Sequence, residues 1–203
     1  MGSVPVPLKL CRMKLEAQIA KLYELGLPLN EGITIDGFLL CWSREEYEKK
    51  PFETVLFSYG IEVEKKPWGR FFCDRVWNFD AECICGDGDY VTIVKEFHRI
   101  SGKAKPLEDL SDQVDLESGQ AKLQYTVDGR LREFNPRVDN DWVDPDVAAA
   151  IMQDMRRDGF DFYGKDKGQA TVWCYMTPEN ASSLNSIAEN VFRLNKRPWL
   201  RIW

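Results

Sequence analysis

Two acidic stretches hold the residues best suited to chemistry, and the first surrounds the glycine turn Gly86-Asp-Gly-Asp89. Carboxylates in and before this turn could supply the hard oxygen ligands that Mg²⁺ or Ca²⁺ prefers. They belong to Asp80, Glu82, Asp87 and Asp89. A phosphate loop does not fit, because the aspartates repel phosphate and the third glycine of the dinucleotide fingerprint is missing. The simpler interpretation is a strand-to-helix turn in which Asp89 caps the helix that follows.

The second acidic stretch, Asp139-Asn-Asp-Trp-Val-Asp-Pro-Asp146, is the densest in the chain. The spacing of Asp139 and Asp141 matches the start of a calcium loop, but the glycine and the distant glutamate of that loop are absent. We therefore predict an exposed turn that leads into a helix. Trp142 is then either a core anchor or a residue that faces a partner.

Common catalytic and metal-binding signatures are missing from the sequence. His98 is the one histidine, so a zinc or haem site has few ligands, and no Gly-x-Ser-x-Gly elbow occurs. The six cysteines form no Cys-x-x-Cys pair, and Cys83 and Cys85 fall on one face of a predicted strand. The sequence therefore predicts no cofactor and leaves enzymatic activity undecided. Free cysteines favour a reducing, cytoplasmic location.

Aromatic and basic residues alternate in the segment 61–73, where Trp68 follows Lys65 and Lys66. Such interleaving can bind single-stranded nucleic acid. The stretch is short and the neighbouring sequence is acidic, so we predict an exposed connector whose apolar residues fix it to the core. Trp68 is its candidate partner-binding residue.

The net charge of −6 is concentrated in the middle of the chain. Residues 74–146 contain 17 acids and nine bases, a balance of −8, whereas residues 1–73 contain ten of each. A negative field repels nucleic acid and attracts a basic partner. No apolar run approaches the length of a membrane span, and no secretory leader opens the chain. We therefore expect neither nucleic acid nor a membrane as a partner.

Helical periodicity dominates the first sixty residues. Apolar positions predict helices over residues 8–25, 34–42 and 43–60. The last begins at the capping box Ser43-Arg-Glu-Glu46 and is interrupted by Pro51. Residues 1–7 are rich in turn formers and are predicted to be flexible.

Strands and helices alternate after residue 74. The pattern predicts a strand over Arg75–Ile84 and a helix from Tyr90 to Ile100 that buries one face. Three strands then follow, at about 107–114, 119–127 and 130–137, with Asp128-Gly129 as a hairpin turn.

The last part of the chain repeats a cap followed by proline, which is typical of a helix start. Asp144-Pro145 and Thr177-Pro178 each begin a predicted helix. Strands are predicted at 160–163 and 170–176, and the tail 199–203 is predicted to close a sheet edge.

The sequence as a whole predicts an α+β fold in a single domain over residues 1–203: a helical region at about 8–60, then a mainly antiparallel sheet with interspersed helices over about 74–203. A small, acidic, aromatic-rich chain without a catalytic signature is similar in composition to immunity proteins that neutralise basic toxins. The predicted function is a non-enzymatic binding protein, immunity-like or an adaptor, that engages a basic protein. A Mg²⁺- or Ca²⁺-dependent enzyme is the alternative. The predicted partner-binding residues are Trp68, Asp87, Asp89, Asp139, Asp141 and Trp142.

Overall fold

A computed structural model describes residues 13–187, which form two three-stranded sheets and seven helices. In chain order the elements are α1 (Leu15–Glu24), α2 (Ile35–Cys41), α3 (Arg44–Lys49), α4 (Glu53–Tyr59), β1 (Val76–Asp80), α5 (Asp89–Ile100), β2 (Leu107–Asp115), β3 (Gln120–Val127), β4 (Arg130–Phe134), α6 (Pro145–Met155), β5 (Asp161–Lys167), β6 (Ala170–Met176) and α7 (Pro178–Ile187). Both sheets are antiparallel. The predicted α+β class, with its helical N-terminal region, is confirmed.

One buried glutamine bonds to two other segments of the helical region. The side chain of Gln18 donates to the backbone oxygen of Tyr47 and accepts from the backbone N–H of Phe52. It thereby connects α1 to both ends of the turn between α3 and α4, where Pro51 ends one helix. The predicted capping box is present, because the side chains of Ser43 and Glu46 each accept from the other's backbone N–H.

The first sheet has the order β1–β6–β5 and buries both of its faces. Successive side chains of a strand point to opposite faces. Val172 and Cys174 of β6 therefore pack with the N-terminal helices and α7, whereas Trp173 and Tyr175 pack with α5 and α6. The first sheet therefore lies between the two hydrophobic clusters and contributes side chains to both.

The second sheet is the meander β2–β3–β4. Asp128 and Gly129 have φ of 52° and 70°, the left-handed pair that a two-residue hairpin with a type I′ turn requires. Leu123, Tyr125 and Val127 form the buried face, as predicted. In β2 the register shifts between Glu108 and Ser111, which makes a bulge.

Helix α5 contacts both sheets through its buried face. The ring of Phe97 lies 5.4 Å from that of Phe162 and 6.1 Å from that of Trp173, centroid to centroid. At its other end, the carboxylate of Asp112 in β2 accepts from the backbone N–H groups of Gly88 and Val91. Asp112 thus connects β2 to the start of α5 and to the glycine turn before it.

Three predicted strands have different bounds in the structure. The strand predicted at 130–137 ends at Phe134. The strand predicted over Arg75–Ile84 ends at Asp80, because residues 81–84 leave the sheet and pair with residues 141–143. The strand predicted at 160–163 continues to Lys167, so the turn predicted at 164–168 is shorter. The predictions for residues 1–7 and for the tail 199–203 lie outside the described residues.

Candidate functional site

The two acidic stretches adjoin in the folded chain. Ile84 donates its backbone N–H to the oxygen of Asp141 at 2.9 Å, and Val143 donates to the oxygen of Ala81 at the same distance. Trp142 forms an isolated antiparallel bridge with Glu82. Because these bonds join residues about sixty apart, the carboxylates of both stretches come to one part of the surface.

We call this surface the acidic edge. It consists of Asp80, Glu82, Asp87, Asp89, Asp139 and Asp141. Asp80, Asp87 and Asp139 are exposed, and the others are half-buried. Within residues 13–187, no lysine or arginine forms an ion pair with any of the six. Their charge is therefore not neutralised by the described part of the chain.

Several of these carboxylates lie close to the thiol of Cys83. Its pKa is raised from 9.0 to about 12, first because the thiol is buried and then because Asp89, Asp80 and Asp141 lie near it. Negative charge disfavours a second anion. Carboxylates from three separate segments thus act on one atom.

Backbone N–H groups hold the carboxylates of the glycine turn in place. Asp89 accepts from the N–H of Cys85 at 2.7 Å and of Gly86 at 2.9 Å, and Asp87 accepts from the N–H of Val114 at 2.6 Å. The prediction that Asp89 caps the next helix is wrong. The helix begins at Asp89 after Gly88, whose φ of 97° suits glycine, and the capping carboxylate comes from Asp112.

The predicted cation site of Asp80, Glu82, Asp87 and Asp89 is not assembled. Within residues 13–187, no three His, Cys, Asp or Glu side chains are grouped so that they could hold a metal ion. Asp87 and Asp89 are directed to different backbone N–H groups, and Asp80 accepts from the N–H of Glu82. The four carboxylates share a surface without sharing a coordination centre.

The two predicted tryptophans occupy different surroundings. Trp142 lies within the acidic edge, where it is half-buried against the cluster around α5 and α6, so it packs as a core anchor. Trp68 is 62% exposed and lines a groove on the helical region instead. None of the acidic residues predicted with Trp68 lines that groove, and a partner-binding role for Trp68 stays a prediction.

This aromatic groove has a volume of about 580 Å³. Its lining includes Leu40, Trp42, Phe57, Val63 and Trp68, with Glu62 and Glu64 as its charged residues. Leu40 is 61% exposed and Trp42 is 40% exposed. Exposed tryptophan beside exposed leucine is unusual for a surface with no role in contacts.

The loop that carries Trp68 is held by its own hydrogen bonds. The guanidinium of Arg70 donates to the backbone oxygens of Lys65, Lys66 and Pro67 at 2.9–3.2 Å. The carboxylate of Glu62 accepts from the N–H of Gly69. Trp68 is thus presented on an ordered loop, as the predicted connector requires.

Sequence reasoning missed Asp112 and Trp42. Asp112 stands between the polar residues Ser111 and Gln113 in β2, so its sequence context is that of a solvated strand residue, and its partners lie more than twenty positions away. Trp42 ends an apolar helix and reads as a core residue. No local signal separates Trp42 from a buried residue, because an apolar residue directly before a helix cap often packs against the first turns of that helix.

His98 is half-buried, and its Nε2 lies 2.7 Å from the backbone oxygen of Lys105. This contact connects the end of α5 to the loop before β2. Five cysteines in the described residues are free: Cys41, Cys73, Cys83, Cys85 and Cys174.

Comparison of the chain with known protein families, with curated proteins and with solved structures found no match. Among residues 13–187, none of the helices is both long enough and apolar enough to cross a membrane.

Proposed function

We propose that this chain is a non-enzymatic, cytoplasmic binding protein whose acidic edge engages a basic protein partner, in an immunity-like or adaptor role. The observation that carries the proposal is the absence of any lysine or arginine paired with the six carboxylates in the part of the chain that the structure describes. Their neutralising cations would come from the partner. The five free thiols support a reducing compartment.

Backbone hydrogen bonds fix two carboxylates of the acidic edge before any partner binds. The N–H groups that bind Asp87 and Asp89 fix these carboxylates without cancelling their charge. A partner then does not have to order them, which lowers the cost of binding. Clustered charge also steers a basic protein toward the edge and raises the association rate.

The test compares two triple variants in pull-downs from native lysate. Asp80→Asn, Asp87→Asn and Asp139→Asn together remove three charges from the acidic edge, while each amide oxygen can still accept a backbone hydrogen bond. Glu31→Gln, Glu108→Gln and Asp128→Asn remove three charges from exposed positions elsewhere. We expect wild type and the second variant to recover the same basic protein, and the edge variant to bind it at least about tenfold more weakly.

Salt provides the second arm of this experiment. Recovery by wild type should fall between about 50 and about 300 mM salt, because surface charges are screened over the Debye length. A partner that the edge variant binds as well as wild type, or one retained equally at both salt concentrations, contradicts the proposal. Recovery of no partner by wild type counts against it as well.

A further inference from the structure

The aromatic groove shares no lining residue with the acidic edge, and the function proposed for that edge does not use it. It lies on the helical region, and its residues come from α2, α4 and the loop of Trp68. The rings of Trp42 and Phe57 form a T-shaped pair, with centroids 6.4 Å apart and planes at 81°. This contact supports Trp42 from one side, and the side chain is still 40% exposed.

The charges that line the aromatic groove are both negative. Glu62 and Glu64 are its charged lining residues, and within residues 13–187 neither forms an ion pair with lysine or arginine. Glu64 also acts on the thiol of Cys41, whose pKa is raised by burial and by this carboxylate. Glu62 still has one carboxylate oxygen free of the bond to Gly69, and neither carboxylate is neutralised by a described cation. An apolar groove with two such carboxylates favours a ligand that is apolar and cationic at once.

We propose that the aromatic groove binds a short peptide segment of a partner protein that presents an arginine flanked by aliphatic residues. A guanidinium stacks on tryptophan faces and forms two parallel hydrogen bonds with a carboxylate, which an ammonium ion cannot do. Trp42 and Trp68 supply the faces, and Glu62 and Glu64 supply the carboxylates. Leu40 receives a flanking aliphatic side chain.

The ordered loop strengthens this assignment. Because Arg70 bonds three successive backbone oxygens, Trp68 does not have to be ordered when the peptide arrives. Tryptophan and arginine are also the residues that most often dominate binding energy at interfaces.

The experiment titrates the full chain with two peptides, acetyl-Gly-Leu-Arg-Leu-Gly-amide and the same peptide with citrulline in place of arginine. Citrulline keeps the shape of arginine and removes its charge. The ¹⁵N-labelled indole N–H signals of Trp42 and Trp68, assigned with Trp42→Phe and Trp68→Phe, report binding. We expect the arginine peptide to shift both signals and the citrulline peptide to bind about tenfold more weakly.

Variants locate the site. Trp68→Ala and Glu64→Gln should each weaken the arginine peptide by about threefold to tenfold. The matched control is Tyr23→Ala, which removes an exposed aromatic side chain from α1, outside the groove, and should change nothing. The triple variant of the acidic edge should bind the peptide as wild type does. A negative peptide titration therefore contradicts the inference about the groove and leaves the proposed function of the acidic edge unaffected.

Three outcomes overturn the inference. Equal binding of the two peptides means that the groove does not recognise the cation. No indole shift at millimolar peptide, whether the groove is unreactive or filled by the chain's own terminal segments, excludes a partner peptide. A concentration-dependent dimer in sedimentation velocity that Trp68→Ala abolishes assigns the groove to a second copy of the chain.

Discussion

At the scale of single residues, the side chain of Asp112 joins the second sheet to the start of α5. It lies in the second sheet and accepts from Gly88 at 2.7 Å and from Val91 at 3.1 Å, at the start of α5. The first N–H groups of a helix have no partner within the helix, and the positive end of the helix dipole favours an anion. One carboxylate therefore fixes both the helix start and the loop that carries the acidic edge.

We expect Asp112→Ala to lower the free energy of unfolding by about 1–2 kcal/mol, the usual cost of losing a capping side chain. Urea denaturation followed by circular dichroism measures the change. Glu117→Ala, which removes an exposed carboxylate from the turn after β2, serves as the control and should change stability by less than about 0.5 kcal/mol. An Asp112→Ala protein as stable as this control would show that Asp112 is not the cap.

At the scale of elements, the end of α4 meets β1 without room for a side chain. A Cβ at Gly60 would lie 2.5 Å from the side-chain oxygen of Asn78 and 2.7 Å from its backbone nitrogen. That nitrogen donates to the oxygen of Gly60, and the amide of Asn78 donates to Phe57. The backbones of α4 and β1 are thus joined directly.

We expect Gly60→Ala to destabilise the protein by about 1–3 kcal/mol, because the added methyl forces the two backbones apart. Gly86→Ala is the matched control: a Cβ there meets nothing within 4 Å, and its φ is not in the left-handed region. Thermal or urea unfolding of both variants provides the measurement. Equal free energies of unfolding for the two variants would mean that the backbones of α4 and β1 can move apart without destabilising the protein.

The sequence predicts those elements whose signals are local. The capping box at Ser43, the Asp144-Pro145 start of α6 and the Asp128-Gly129 turn each depend on neighbouring residues, and each is confirmed. The end of β1 at Asp80 and the capping of α5 by Asp112 depend on partners far away in the sequence. No pattern within a short window encodes such contacts.

The same division between local signals and long-range contacts applies to the candidate site. Charge is visible in the sequence, so the carboxylates at 80–89 and 139–141 could be named, whereas the backbone pairing that brings the two stretches together could not. Composition could not separate Trp68 from these carboxylates, because exposure and surroundings depend on tertiary packing. The aromatic groove required Trp42, a residue whose helical context is that of a buried side chain.

At the scale of the whole molecule, one sheet supports both hydrophobic clusters. Val172 and Trp173 are neighbours in β6, yet they belong to opposite clusters. Loss of either cluster exposes one face of the same three strands. Unfolding of one half therefore removes support from the other.

We expect a single cooperative unfolding transition for this reason. Leu22→Ala, in the cluster of the N-terminal helices, and Ile151→Ala, in the cluster of α5 and α6, should each lower stability by about 2–5 kcal/mol and shift the whole curve. Far-ultraviolet circular dichroism and tryptophan fluorescence in urea test whether the transitions coincide. Two separated transitions in either variant would indicate that the clusters unfold as independent units.

The bulge in β2 has a consequence for how the protein behaves in crowded solution. An outer strand with free, regularly spaced backbone groups is a template onto which strands of other molecules can add, the first step toward fibrils. Here the register is broken between Glu108 and Ser111, and the N–H of Val114 is already bound to Asp87. This border of the second sheet therefore offers no continuous row of free backbone groups to a strand from another molecule.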